Sequence, residues 1–130
     1  METYESEIEV LPAHLDDLDH VNNVQYVQWM QDVAKAHWNS VVPVDLRKNM
    51  IWVVRNHNIT YKKAAVLGQT VRVRTYIAEN RGYLSKRVVQ MYLKTTDALL
   101  IDAVTEWCLL DATTLRPKKV PEVISSLFKL

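Results

Sequence analysis

Hydrophobic and polar positions change period along this chain, and each change marks an element. From Tyr4 to Leu11 they alternate: Tyr4, Ser6, Ile8 and Val10 fall on one side and Glu5, Glu7 and Glu9 on the other. Period two predicts a strand with one wet face, which Pro12 ends. Between Val21 and Val42 there is no Gly or Pro, and Val21, Val24, Val27, Met30, Val33 and Ala34 recur at spacings of three and four. That period predicts an amphipathic helix of roughly four to five turns at ~3.6 residues per turn, with Trp29 and Trp38 widening or flanking its stripe. Asn22 or Asn23 is placed to cap it, and Gln25 imitates a capping box with Asn22. Pro43 closes the helical region, and Val44 to Lys48 reads as a connector.

Strand patterns follow. Met50 to Tyr61 is rich in β-branched and aromatic residues and reads as one strand, bulged near Arg55 to Asn58. Lys62 to Gly68 is a link ending in a Gly turn. Gln69 to Glu79 alternates, with Val71, Val73, Thr75 and Ile77 on one face and Thr70, Arg72, Arg74 and Tyr76 on the other. Asn80-Arg81-Gly82 is a hairpin connection, with Gly where positive φ is expected. Tyr83 to Thr95 and Leu99 to Leu110 are two more strands, separated by Thr96-Asp97-Ala98. Pro121 to Leu130 can form a short helix with Pro in its first turn. Strand, long helix, then four strands joined by short turns predicts an α+β layer, a five-stranded antiparallel sheet against one helix. Without repeats, linkers or low-complexity tracts, residues 1–130 read as a single domain. One helix covers only part of such a sheet, so a second copy is a natural cover for a remaining edge or face.

Composition narrows the function classes. The 130 residues are 48% hydrophobic and 24% charged, with net charge +1, ordinary for a globular protein and giving no pull toward nucleic acid or an anionic membrane. No apolar run is long enough to span a bilayer, and Met1 to Glu9 lacks the form of a secretory signal. The one cysteine, Cys108, has no internal partner, sits in an alternating strand and is expected to be buried and inert. These features lead us to expect a cytoplasmic protein.

Groups able to do chemistry concentrate before and within the first helical turn: His14, Asp16, Asp17, Asp19, His20, Asn22 and Asn23. A helix start offers free backbone N–H groups and the positive end of the helix dipole, which can hold an oxyanion or a phosphate. Asp16, Asp17 and Asp19 each lie close enough along the chain to put a base or nucleophile beside that end. Acids there also simply stabilise the helix, and the Asn residues can serve as caps alone. His20 either orients substrate or water or hydrogen-bonds across the turn. Tyr26 either lines a pocket or belongs to the core. The cluster lacks the Gly turn and terminal Glu of an EF-hand and the His-x-x-x-His helical pair of zinc hydrolases, so no metal is expected.

Asp16-x-x-x-His20-Val21-Asn22-Asn23-x-x-Tyr26, followed by a helix and four strands, resembles the hotdog-fold acyl-thioesterases, most of all the 4-hydroxybenzoyl-CoA thioesterase group. The plant acyl-ACP thioesterases share the His-Val-Asn-Asn core. Ile59-Thr60-Tyr61 before the link, the Gly82 hairpin and the strand ending at Asp111 add weaker likeness. The resemblance implies an acyl-CoA thioesterase without a cofactor, Asp16 acting as nucleophile or general base. It implies N–H groups around Asn22 and Asn23 polarising the thioester carbonyl, with His20 and Asn23 in the catalytic set. Asn22, Tyr26, Tyr61 and Arg55 are candidates to contact substrate, with surface or core packing the alternative for Tyr61 and Arg55, and Arg72, Arg74, Arg81, Lys86 and Arg87 either bind CoA phosphates or are simply solvated charges on the sheet. It also implies a homodimer or homotetramer with helices side by side and sites at the subunit interface. Two positions depart from the pattern: Asp19 stands where many bacterial relatives have Gly, and Leu18 where the plant enzymes have Asn. Asp19 is therefore the rival to Asp16 for the working carboxylate. An acyl-ACP thioesterase, a non-catalytic acyl-thioester binding or scaffold protein and a hotdog hydratase remain alternative expectations.

Overall fold

Alternating β-branched and aromatic residues build five strands in the computed structural model, which describes residues 1–130. They are β1 (Thr3–Glu9), β2 (Met50–Tyr61), β3 (Thr70–Arg81), β4 (Leu84–Leu93) and β5 (Leu99–Asp111). The sheet order is β1-β3-β4-β5-β2, antiparallel throughout. The helices are α1 (Asn23–Val41), α2 (Val44–Arg47) and α3 (Glu122–Leu127). This is the hotdog arrangement, a curved sheet around one long helix, as the chain pattern and the resemblance both implied. Short hairpins join β3 to β4 and β4 to β5, and Gly82 supplies the positive φ (60°) of the first. The β2 bulge lies between Val54 and Asn56. β2 ends the sheet with one side unpaired, as does β1.

The sheet faces follow the period-two reading. Val71, Val73, Thr75 and Ile77 of β3 are buried toward α1, and so are Val89 and Met91 of β4. On the opposite face Arg72 pairs with Glu5 (3.4 Å) and Asp97 (2.9 Å), while Lys94 pairs with Glu7 (3.1 Å). Arg74 lies over the Tyr76 ring and donates to Gln90. These cations form a solvated, internally paired surface.

The helix stripe differs from the expected one. Its buried residues are Tyr26, Trp29, Met30, Val33, Ala34 and His37, whereas Val24 is 73% exposed and Val27 only partly buried. Both sets have helical spacing, so period alone does not choose between them. Area does: each aromatic ring buries ~150–250 Å², and full burial of a large side chain stabilises by ~1.5–3 kcal/mol. The rotation that hides Tyr26 and Trp29 therefore wins over the one that hides Val24. Two smaller corrections concern boundaries. Val44 to Lys48 is not a plain connector but contains the short helix α2, and β1 stops at Glu9, with a 3₁₀ turn at Pro12–His14.

Past β5 the chain folds back and α3 closes the far end of α1. Phe128 stacks on Trp38 (6.0 Å between centroids) and meets the edge of His37 (5.0 Å), while its carbonyl accepts the Glu2 N–H at 3.0 Å. Val120, Ile124 and Phe128 join Val42, Ile77 and Leu109 in a second apolar cluster.

A polar triad lies inside this core. Arg87 Nη1 donates to His37 Nδ1 (2.8 Å) and to Thr75 Oγ1 (3.1 Å), and Thr75 Oγ1 donates to the Val88 carbonyl (2.8 Å). Arg87, a candidate for CoA phosphates, is thus a core residue on the helix-facing side, 4% exposed. Its place follows from β4 alternation, since Ser85, Arg87, Val89 and Met91 share one face. A guanidinium only donates, so His37 Nδ1 must accept and the proton sits on Nε2, which has no partner. Burial, and then the adjacent Arg87 charge, pushes the His37 pKa down to about 4.

That shift carries a sign. The unfolded chain protonates His37 near pH 6.5, while the folded core refuses the proton until about pH 4. The stability contribution is complete above pH 6.5 and falls away toward pH 4, by up to ~3 kcal/mol. Denaturant midpoints measured from pH 7.5 to pH 4 should drop through this window, and His37→Gln should flatten that part of the curve. An unchanged slope in the variant would assign the acid sensitivity elsewhere.

Candidate active site

Asp16 organises the turn before α1 through its own carboxylate. Oδ1 accepts the Leu18 N–H (2.9 Å) and the His20 N–H (3.1 Å), and the Asp16 N–H donates to the His20 carbonyl at 2.7 Å. Asp16 is partly buried, whereas Asp17, Asp19 and His20 are exposed. Asp19 closes the turn at φ 60°, the left-handed region that Gly adopts freely and that Asp tolerates better than most residues. The departure from Gly at this place is therefore accommodated by the same backbone conformation. One Asp16 oxygen is engaged in holding the turn and the other makes no protein hydrogen bond.

The helix start is equally specific. Asn22 is the N-cap: its Oδ1 accepts the Val24 N–H at 3.0 Å. Gln25 makes no return bond, so the capping box is incomplete. The Asn22 N–H donates to the His14 carbonyl (2.9 Å). Asn23 N–H is then the donor of this turn without an intramolecular acceptor. The expectation that Asn22 and Asn23 both offer N–H groups narrows to Asn23. His14 is structural. Its Nδ1 accepts the Leu11 N–H (2.9 Å) and its ring meets the edge of Trp29 (5.1 Å).

The link between β2 and β3 locks the turn in place. Val21 N–H donates to the Ala65 carbonyl at 2.9 Å, and Ala65 N–H donates to the Tyr26 hydroxyl at 3.0 Å. His20 pairs with Val66 through a backbone bridge; its side chain makes no hydrogen bond. Tyr26 is 2% exposed and its ring lies 6.1 Å from that of Tyr61 at the end of β2, which is 43% exposed. Burial raises the Tyr26 pKa foremost; the Ala65 N–H opposes this, and the charges of Asp16 and Tyr61 add to it. Asp16, Tyr26 and Tyr61 thus lie within electrostatic reach of one another.

Of the residues expected at the site, Asp16, His20, Asn22, Asn23, Tyr26 and Tyr61 gather at this end of the molecule. Arg55 does not. It sits at the β2 bulge, 55% exposed and 3.6 Å from Glu106, in an open cleft with Asn58 and Lys86. The residues that sequence reasoning missed are His37 and Thr75, the partners of Arg87. His37 continues the helical spacing from Tyr26 through Met30 and Val33, which was the available signal.

A sheet curved around one helix, with an acidic turn feeding the helix N-terminus, defines the hotdog-fold thioesterase class. Residues 1–128 match the acyl-ACP thioesterase N-terminal domain family, and the chain belongs to it. It is 25% identical over 115 residues to the long-chain acyl-CoA thioesterase FadM of Escherichia coli (strain K12), covering 85% of each chain. Its fold is similar to that of a 1,4-dihydroxy-2-naphthoyl-CoA thioesterase from Synechocystis, with TM-score 0.85 and 14% identity over 98% of this chain and 96% of that one. It is also similar to a Thermus thermophilus thioesterase solved with coenzyme A and zinc, with TM-score 0.84 and 19% identity over 96% and 90% of the two chains.

Tyr26 connects site and fold, and this can be measured. Tyr26→Phe keeps the ring but leaves the Ala65 N–H buried without an acceptor, since Ala65 is 0% exposed. Equilibrium denaturation should show a loss of ~1–3 kcal/mol. A loss below a few tenths would mean that water replaces the hydroxyl.

Proposed function

We propose that this thioester hydrolase acts on acyl-CoA, with the Asp16 carboxylate as its chemical group. The observation that carries the reading is the pairing of a fixed carboxylate with an unpartnered N–H, that of Asn23, at the start of α1. The thioester carbonyl oxygen points at the Asn23 N–H and the positive end of the helix, which stabilise the oxyanion as it forms. In one route the free Asp16 oxygen takes a proton from water, hydroxide adds to the carbonyl carbon, and the C–S bond breaks to give acid and thiol. In the other the Asp16 oxygen attacks the carbon itself and expels the thiolate, and water then cleaves the mixed anhydride. His20, exposed beside the turn, is positioned to orient water or substrate, with Asn22 and Tyr61 at the wall and Tyr26 buried behind them as support. Arg55 is not assigned to this wall.

The assembly we infer is a dimer formed by the unpaired edge of β2, extending the sheet across two copies with their helices side by side. A reducing compartment such as the cytoplasm suits the free, buried Cys108. Acyl carrier protein is the alternative thiol carrier, favoured by the family match itself.

Thiol release from short, long and aromatic acyl-CoAs and from acyl-ACP tests this. Asp16→Asn keeps an oxygen to hold the turn yet should lower kcat ~10²–10⁴-fold with little change in KM, and Asp19→Asn should retain most activity. Collapse in Asp19→Asn alone would move the chemistry to Asp19. Binding without turnover would favour a non-catalytic acyl-thioester protein. Single turnover in ¹⁸O-water separates the two routes, since only the anhydride route can label Asp16.

A further inference from the structure

Arg87 is a buried cation with no carboxylate against it. None of the ion pairs in the molecule reaches it. Both of its hydrogen bonds leave from Nη1, toward a neutral His and a Thr; Nη2 and Nε donate to no protein group. Taking a guanidinium out of water without an anionic partner costs several kcal/mol, so a position like this calls for a counter-charge. Arg87 also lines a cavity of about 390 Å³ between α1 and the β4-β5-β2 part of the sheet. Trp38, Trp52, Trp107, Ile77 and Ser85 line it too. The indole N–H groups of Trp52 and Trp107 are buried without acceptors. Asp32 and Lys35 also line it, but both are exposed, and Asp32 Oδ1 accepts from Gln28 Nε2 (2.8 Å). The cavity is therefore apolar over most of its wall, carries Arg87 as its one buried charge, and falls within the ordinary size range of ligand pockets, ~300–1,000 Å³.

In one protomer Asp16 and Tyr61 lie at one end of β2 and the cavity residue Trp52 at the other, ~30 Å away at ~3.3 Å per residue. Two β2 edges joined antiparallel about a twofold axis bring the Tyr61 end of one copy against the Trp52 end of the other. The cavity of one protomer then faces the Asp16 turn of its partner.

We propose that this cavity is the acyl subsite for the thioester held at the partner's Asp16, and that Arg87 selects acyl groups that end in a carboxylate. The apolar body of the chain lies among the indoles, and the terminal carboxylate accepts from the Nη2 and Nε side of the guanidinium in a charge-assisted pair. The inference rests on the thioesterase reading and on the β2 dimer.

The test compares matched chains on the wild-type protein: adipyl-CoA against hexanoyl-CoA, and suberyl-CoA against octanoyl-CoA. The expected kcat/KM is higher for the carboxylate-tipped member of each pair by ~10-fold or more, the worth of one charged hydrogen bond. Arg87→Met should reverse the order and Arg87→Lys should keep part of it, with melting curves reporting whether each variant folds. The wild-type comparison decides even if neither variant does. Equal or faster hydrolysis of the methyl-ended chains overturns the inference and leaves the thioesterase reading intact. If none of these four chains is hydrolysed, the thioesterase reading is decided by the wider panel of long, aromatic and ACP-linked chains, and calorimetric binding of the same pairs decides the subsite. Tighter binding of adipyl-CoA than hexanoyl-CoA supports it, and equal binding overturns it.

Discussion

The backbone of Ala65 holds the candidate site together. Its carbonyl accepts the Val21 N–H and its N–H donates to the Tyr26 hydroxyl, so both polar groups of one wholly buried residue are joined to the start of α1. The link between β2 and β3 could otherwise run freely over the surface. Tied this way, it fixes the height and rotation of the helix start against the sheet. The Asp16 turn inherits that placement, because His20, whose N–H and carbonyl both bond to Asp16, pairs with the neighbouring Val66. Burial of Tyr26 and Trp29 selects the helix rotation, and this clamp then holds the helix start, the Asp16 turn and Tyr26 in register.

Much of this was legible in the chain, and the reasons are specific. Period-two alternation in Val71–Ile77 told inside from outside, because a half-buried strand has only two faces. The acidic turn was legible as chemistry because a helix start has a fixed electrostatic sense. The rotation of α1 was not, because Val24, Val27 and Met30 have the same spacing as Tyr26, Trp29, Met30 and Val33. Only the amount of surface each rotation hides separates them. Arg87 was read as a phosphate contact or a solvated charge because that is the usual place of a charged side chain on a strand, although the apolar Val89 and Met91 beyond it on the same face argued for burial. Arg55 was offered as a substrate contact although a bulge was expected beside it, because an alternation count does not say how far along β2 a residue lies from the Asp16 turn. The partners of the unpaired edge lie outside what one sequence states.

Two kinds of polar burial meet in this small fold. At the Asp16 end, Asp16 Oδ1, the Asn22 side chain and the Tyr26 hydroxyl each bond to backbone, which stiffens the turn and leaves one Asp16 oxygen free. At the other end, His37 Nε2, Trp52 Nε1 and Trp107 Nε1 lack partners around Arg87. The first pattern is that of a structural turn able to carry chemistry. The second departs from the satisfied interior of a stable core and marks a place kept for something other than packing.

The free edge of β2 has a consequence in heredity as well as in shape. Under the proposed pairing each catalytic unit takes its carboxylate from one copy and its cavity from the other. Mix a copy lacking Asp16 with a copy lacking Arg87, and one of the two units inherits both lesions while the other inherits neither. Two alleles, each defective alone, would then complement in trans, although neither polypeptide holds a complete set of working parts.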